Sequence, residues 1–162
     1  MRRLPIDEVT IRRILDNYSD LILRIAFQNT QDRQESEDIM QEVFIELLKK
    51  HPFSSEEHMK AWIIRVTINK CKNFLKSARR RNIQLNDNLK VAATTLQNDS
   101  LFDELFALPE FERNVLFLYY YEGYSAQEIG KILHKSENAV FLSLSRGRKH
   151  LKLIIEGLND EN

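Results

Sequence analysis

Residues 124–152 of this 162-residue chain read Y-S-A-Q-E-I-G-K-I-L-H-K-S-E-N-A-V-F-L-S-L-S-R-G-R-K-H-L-K, and no other stretch restricts the fold as tightly. Ser125 and Glu128 form an S-x-x-E capping box, so a helix is expected to start there. Ile129, Ile132 and Leu133 give it an apolar face. Ser136 is a good N-cap for a second helix after a tight turn. In that helix Val140, Leu144, Gly147 and Leu151 share one stripe, while Asn138, Leu142, Ser145 and Lys149 fall on the opposite face with Arg146 beside them. A short helix bracing a second one, with a small, polar and basic outer face, suits a DNA major groove. On pattern alone, an ordinary helical hairpin with solvated lysines and arginines is the alternative.

Only 4 Gly and 3 Pro leave little material for the many tight turns of a β-rich fold, so the chain reads as all-α. Its 43% hydrophobic residues suffice for one or two small cores. The single cysteine, Cys71, forbids an internal disulfide, and with the histidines scattered no metal site or cofactor is expected. One cysteine also fits a reducing, cytoplasmic setting. No apolar run approaches the roughly 20 residues of a membrane span, and the N-terminal arginines precede no signal-peptide core.

The formal net charge is zero, but it averages over blocks. Residues 32–46 and 99–112 are acidic, and residues 60–86 and 131–152 are basic. Two basic surfaces separated by acidic ones suggest two polyanion contacts and additional partner surfaces.

Taken in order, residues 1–6 are expected to fray. A helix over 7–29 carries Ile14, Leu15, Tyr18, Leu21, Ile22 and Ile25 as a wide apolar stripe. Residues 29–32 read as a break. The next helix, 32–50, is expected to bury Ile39, Val43, Phe44, Leu47 and Leu48, and it ends before Pro52. Its exposed side carries Glu35, Asp38, Gln41, Glu42 and Glu46, which on their own read as a solvated face. After a loop containing Phe53 and Ser54, a helix over 56–80 separates into two faces. Ile64, Ile68, Cys71, Leu75 and Ala78 form one; Trp62, Arg65, Asn69, Asn73, Lys76 and Arg80 form the other, with Val66 out of place among them. Cations that track a backbone, beside an aromatic and a loop pocket, suit single-stranded nucleic acid, although Trp62 could equally be core.

Residues 82–100 are polar and aperiodic and read as a linker. Beyond it, a short helix over 101–107 is followed by one that starts with Pro109 in its first turn, runs through Phe111, Val115, Leu116 and Leu118 to about residue 121, and is ended by Gly123. The tail from Glu156 is polar and is expected to fray.

Four segments, in order, carry a resemblance to a known family. E-S-E-D-I-M-Q-E-V-F-I-E-L (35–47), A-W-I-I-R-V-T-I-N-K-C-K-N-F-L-K (61–76), L-P-E-F-E-R-N-V-L-F-L (108–118) and residues 124–151 are similar to the motifs D-A-E-D-L-x-Q-E-x-F, W-L-x-R-I-A-x-N-x-x-x-D-x-L, L-P-x-x-x-R-x-V-L and Y-x-E-I-A-x-x-L-G-x-S-x-G-T-V-x-S-R-L-x-R-A-R-x-x-L of bacterial sigma factors. The chain resembles the sigma-70 superfamily in its compact extracytoplasmic-function (ECF, group 4) class, and the likeness spans nearly its whole length. It implies two small helical domains, region 2 (1–81) and region 4 (101–162), joined by a flexible linker (82–100) that passes through the polymerase. It implies that Asp38, Gln41, Glu42 and Phe44 dock on the β′ clamp helices of core RNA polymerase. Phe53, Ser54, Lys60, Trp62, Arg65, Asn69, Asn73 and Lys76 would melt and capture the −10 promoter element. Asn138, Phe141, Leu142, Ser145, Arg146, Arg148 and Lys149 would meet the −35 element, with region 4 held at the β flap. It further implies an anti-sigma factor, often membrane-bound, that occludes both domains of a cytoplasmic protein. The polymerase, not this chain, would make RNA.

The chain departs from the family pattern at the helix-turn-helix. His134 stands where Gly is usual, Lys135 where an apolar residue is usual, and N-A-V-F-L-S (138–143) where the family has G-T-V-x-S-R. Phe141 and Leu142 could therefore meet thymine methyls, pack inside the domain, or contact a regulator. Two other readings compete with this one. A helix-turn-helix regulator that never docks on polymerase leaves residues 35–76 unexplained. A helical pyrophosphohydrolase holding Mg²⁺ on Glu35, Asp38 and Glu42 lacks the second acidic helix such sites need.

Overall fold

A computed structural model describes residues 6–81 and 101–160. The expected linker, 82–100, and residues 1–5 lie outside the described residues. No strand occurs among the described residues. They divide into two compact units, one within 1–85 and one within 86–162.

The first unit is a bundle of α1 (Glu8–Thr30), α2 (Arg33–Lys50) and α3 (Glu56–Arg80). Asp7 starts α1 by accepting the Thr10 N–H at 2.7 Å. Ile14, Tyr18, Leu21, Ile22 and Ile25 are buried as the period requires, while Leu15 at the edge of the stripe is exposed. The break expected at 29–32 is narrower. Asn29 and Thr30 belong to α1 and are buried, because their side chains donate to the carbonyls of Ile25 and Ala26, each at 2.9 Å. Gln31 then ends the helix in the left-handed region at φ 52°.

Asp32 caps α2 by accepting the Glu35 N–H at 3.1 Å. Ile39, Val43 and Leu47 form its buried stripe with Ser36. The expectation that Phe44 and Leu48 join this core is corrected: Phe44 is half-buried and Leu48 is 44% exposed. Both rotate off the narrow stripe that faces α1 and α3. Ser55 caps α3 by accepting the His58 N–H at 3.0 Å, and Ile64, Ile68, Cys71, Leu75 and Ala78 are buried as expected. Glu56 ties the start of α3 to α1, accepting from the Tyr18 hydroxyl at 2.6 Å and from Arg13 at 3.1 Å.

The second unit holds α4 (Leu101–Phe106), α5 (Glu110–Tyr120), α6 (Ala126–Leu133) and α7 (Glu137–Asp160). Pro109 is the N-cap of α5 rather than a first-turn residue. Arg113 of α5 donates to the Phe106 carbonyl at 3.0 Å and lies 5.3 Å from the Phe106 ring centre, fixing the end of α4. Val115, Leu116, Phe117 and Leu118 fill the core. Gly123, at φ +73°, turns the chain between α5 and α6. At Gly147 an added Cβ would stand 2.9 Å from Leu116 Cδ1, so the glycine lets α7 approach α5 closely. The tail expected to fray from Glu156 is instead helical as far as Asp160. The stripe Val140, Leu144, Gly147 and Leu151 continues to half-buried Ile154, which carries the helix onward.

Candidate functional site

Three surfaces carry the residues singled out in the sequence. The first is the α6–turn–α7 unit. Its capping box is complete: Glu128 N–H donates to Ser125 Oγ at 3.1 Å, and Ser125 N–H donates to Glu128 Oε1 at 3.2 Å. His134 adopts the left-handed conformation, φ 56° and ψ 45°, that the family pattern fills with glycine. Lys135 N–H then donates to the Gly130 carbonyl at 2.8 Å. A Cβ on residue 130 would come within 2.6 Å of the Lys135 carbonyl oxygen, so a glycine is needed for so tight a turn. The Lys135 ammonium lies 5.9 Å from the Phe111 ring centre, so this cation covers an aromatic where the family has an apolar side chain.

Ser136 opens α7 by accepting the Ala139 N–H at 3.1 Å. Val140, Ser143, Leu144 and Gly147 are buried; Asn138, Leu142, Ser145, Arg146 and Lys149 are exposed together on the far side. Phe141 is 53% and Leu142 50% exposed, which removes packing inside the domain from the three roles open to them. Arg148 is turned toward α5: its Nε donates to the Tyr120 hydroxyl at 2.6 Å, and its guanidinium lies 5.7 Å from the ring centres of both Tyr119 and Tyr120. Sequence reasoning missed these tyrosines.

The second surface is the loop before α3 together with the start of that helix. Phe53 and Trp62 are 5.3 Å apart between ring centres, and His58 meets Phe53 edge-on at 5.5 Å. Ser54 Oγ lies 3.0 Å from His58 Nδ1. Phe53 and Trp62 are each half-buried, so Trp62 is neither a core residue nor a free one. Half-buried Arg65 and exposed Asn69, Asn73 and Lys76 continue the same face along α3, whereas half-buried Lys60, two residues before Trp62, falls on the opposite side of the helix and is not brought to this face. Partly open aromatics, flanked by cations and amides, can stack an unpaired base and follow its backbone.

The third surface is the outer face of α2. Asp38, Gln41 and Glu42 are exposed; Phe44 is half-buried on the flank nearest Gln41, away from Glu42. Ile45, 54% exposed, stands among the acids. Partial burial, then the charges of Asp38, Asp32 and Glu42, pushes the Glu35 carboxyl above its ordinary range, with Arg81 opposing. Lys70 of α3 lies 3.0 Å from Glu46 and 3.4 Å from Glu42. Burial alone would lower its pKa, but the hydrogen bond and charge of Glu46 and the charge of Glu42 outweigh burial and raise it. Lys70 stands three residues after buried Thr67, on the flank of the apolar face of α3, and only that position hinted at a role.

Among the described residues no group of three or more His, Cys, Asp or Glu is placed to hold a metal ion, and no helix is long and apolar enough to cross a membrane.

Residues 14–81 match the family description "Sigma-70 region 2", and residues 101–151 match "Sigma-70, region 4". The chain is 26% identical over 174 residues to the ECF RNA polymerase sigma factor SigX of Bacillus subtilis (strain 168), covering 95% of this chain and 90% of that one. Its fold is like that of CnrH in complex with the cytosolic domain of CnrY, at TM-score 0.67 and 19% identity over 93% of this chain and 90% of that one. It is also like the sigma factor RpoE in complex with the anti-sigma factor NepR from Bartonella quintana, at TM-score 0.64 and 16% identity over 90% and 96% of the two chains.

Proposed function

The chain belongs to the sigma-70 family, in its extracytoplasmic-function class, and acts in directing transcription initiation; we propose that it does so through the three surfaces above, each with one partner. The observation that carries this reading is that residues of both matched regions stand together on distinct, accessible faces. The outer face of α2, with Asp38, Gln41, Glu42 and Phe44, docks on the β′ clamp helices of core RNA polymerase. Phe53, Ser54 and Trp62, with Arg65, Asn69, Asn73 and Lys76, capture the −10 element as it melts. Unpairing costs a few kcal/mol, which stacking and backbone contacts offset.

The far side of α7 enters the major groove of the −35 element. Asn138, Ser145, Arg146 and Lys149 supply hydrogen bonds and phosphate contacts, and exposed Phe141 and Leu142 supply apolar contacts for thymine methyls. Arg148 flanks this face from its seat on Tyr119 and Tyr120. Region 4 also meets the β flap, and residues 82–100 link the two domains. The polymerase forms the phosphodiester bonds, and this chain is not an enzyme. The protein works in the cytoplasm, and an anti-sigma factor, membrane-held in some systems, covers its faces until a signal arrives.

Titration of core RNA polymerase with Asp38→Ala/Glu42→Ala tests the docking face. Binding falls about tenfold or more, as expected for two interface charges, while helicity is kept; undiminished binding would remove the assignment.

A further inference from the structure

Lys70 falls at a position that the 61–76 motif leaves unspecified, and yet its ammonium reaches across from α3 to two carboxylates one turn apart on α2. Its side chain is only 19% exposed, against 58% for Glu42 and 46% for Glu46. We infer that Lys70 is a positioning residue for polymerase docking: it fixes Glu42 and Glu46 in one orientation on α2, so that a cationic partner helix meets a preformed pair of carboxylates. The inference rests on the reading of α2 as the docking face.

Like charges four residues apart on a helix repel, and left alone these two side chains would splay and sample many rotamers. A cation anchored in the neighbouring helix and shared by both restrains them before the partner arrives. The carboxylates remain more than a third exposed and open to a second cation. An opposing effect exists, because losing the ammonium leaves the face more negative and more attractive to a cationic partner. That effect acts mainly on approach and is screened beyond about 8 Å at physiological ionic strength. Restraint of the carboxylates acts on the bound state. The two therefore separate into association and dissociation rates.

The test is binding of the full chain to core RNA polymerase from the same bacterium, followed in real time. Lys70→Met leaves association unchanged or faster at low salt, and it speeds dissociation by about three- to tenfold, the cost of ordering one or two free side chains. Lys70→Arg restores slow dissociation. In a Glu42→Gln/Glu46→Gln background, Lys70→Met adds no further loss. Unchanged dissociation in Lys70→Met overturns the inference, and so does an equal loss in both backgrounds, which would mark a purely structural lysine. Should Lys70→Met fold poorly, Lys70→Gln is measured by the same criteria at a temperature where its helicity is intact. Asp38→Ala, run alongside, separates the two failures. If Asp38→Ala weakens binding and Lys70→Met does not, only the role of Lys70 falls; if neither does, the docking face falls and takes this role with it.

Discussion

Arg148 Nε donates to the Tyr120 hydroxyl at 2.6 Å, which turns the guanidinium back over α5, although both Arg148 and neighbouring Arg146 are exposed. Two arginines separated by one residue on α7 thus do different work. Arg146→Ala is expected to lower the salt slope of duplex −35 DNA binding by about one. Tyr120→Phe and Arg148→Ala should change that slope less and instead lower stability, by about 1 kcal/mol for the lost hydrogen bond. Fluorescence anisotropy over a salt series, paired with urea unfolding, checks both. Equal slopes lost at both arginines would show that Arg148 leaves Tyr120 to bind phosphate.

Gly130 and Gly157 make a matched pair. A Cβ at Gly130 meets the Lys135 carbonyl oxygen at 2.6 Å, whereas one at Gly157 meets nothing within 4 Å. Gly157→Ala should gain up to about 1 kcal/mol from helix propensity alone. Gly130→Ala has the same gain available but must move the turn backbone, and overpacking costs about 1–3 kcal/mol, so it loses stability on balance. Urea unfolding reads both signs, and a stabilised Gly130→Ala would mean that the turn is looser than it stands here.

Glu56 gives a pH dependence. The Tyr18 hydroxyl holds its carboxyl below the ordinary value of 4.5; burial opposes this, and the hydrogen bond and charge of Arg13 add to the lowering. A depressed carboxyl stabilises the fold above its unfolded pKa, and that stabilisation is lost as pH falls through the folded value. Glu56 is half exposed and screened by solvent, so wild type should exceed Glu56→Gln by only a few tenths of a kcal/mol, up to about 1 kcal/mol, near pH 7. The gap should close progressively below pH 4.5. A gap that is constant with pH would show that the charge of Glu56 plays no part.

Much of this was legible because it is local. The box formed by Ser125 and Glu128, the cap at Ser136 and the stripe from Val140 to Leu151 follow from residues within a turn or two of each other. The left-handed conformation of His134 was legible only through the resemblance, which puts glycine at that position. What escaped is tertiary. Lys70 meets Glu46 across 24 residues, and Arg148 meets Tyr120 across 28. Periodicity placed Leu48 inside because it is apolar, but only the packing of α1 and α3 decides how wide the buried stripe of α2 is. Asn29 and Thr30 looked like a break because such side chains compete for backbone groups; here they do so within the helix, by donating to carbonyls four residues back.

The most direct measurement is transcription itself. Purified full-length chain is mixed with core RNA polymerase and genomic DNA from the same bacterium, and the 5′ ends of the RNA are sequenced. Starts should cluster downstream of a shared pair of promoter elements and should vanish when the chain is omitted. RNA no more abundant and no more localised than core polymerase makes by itself would contradict a role in initiation.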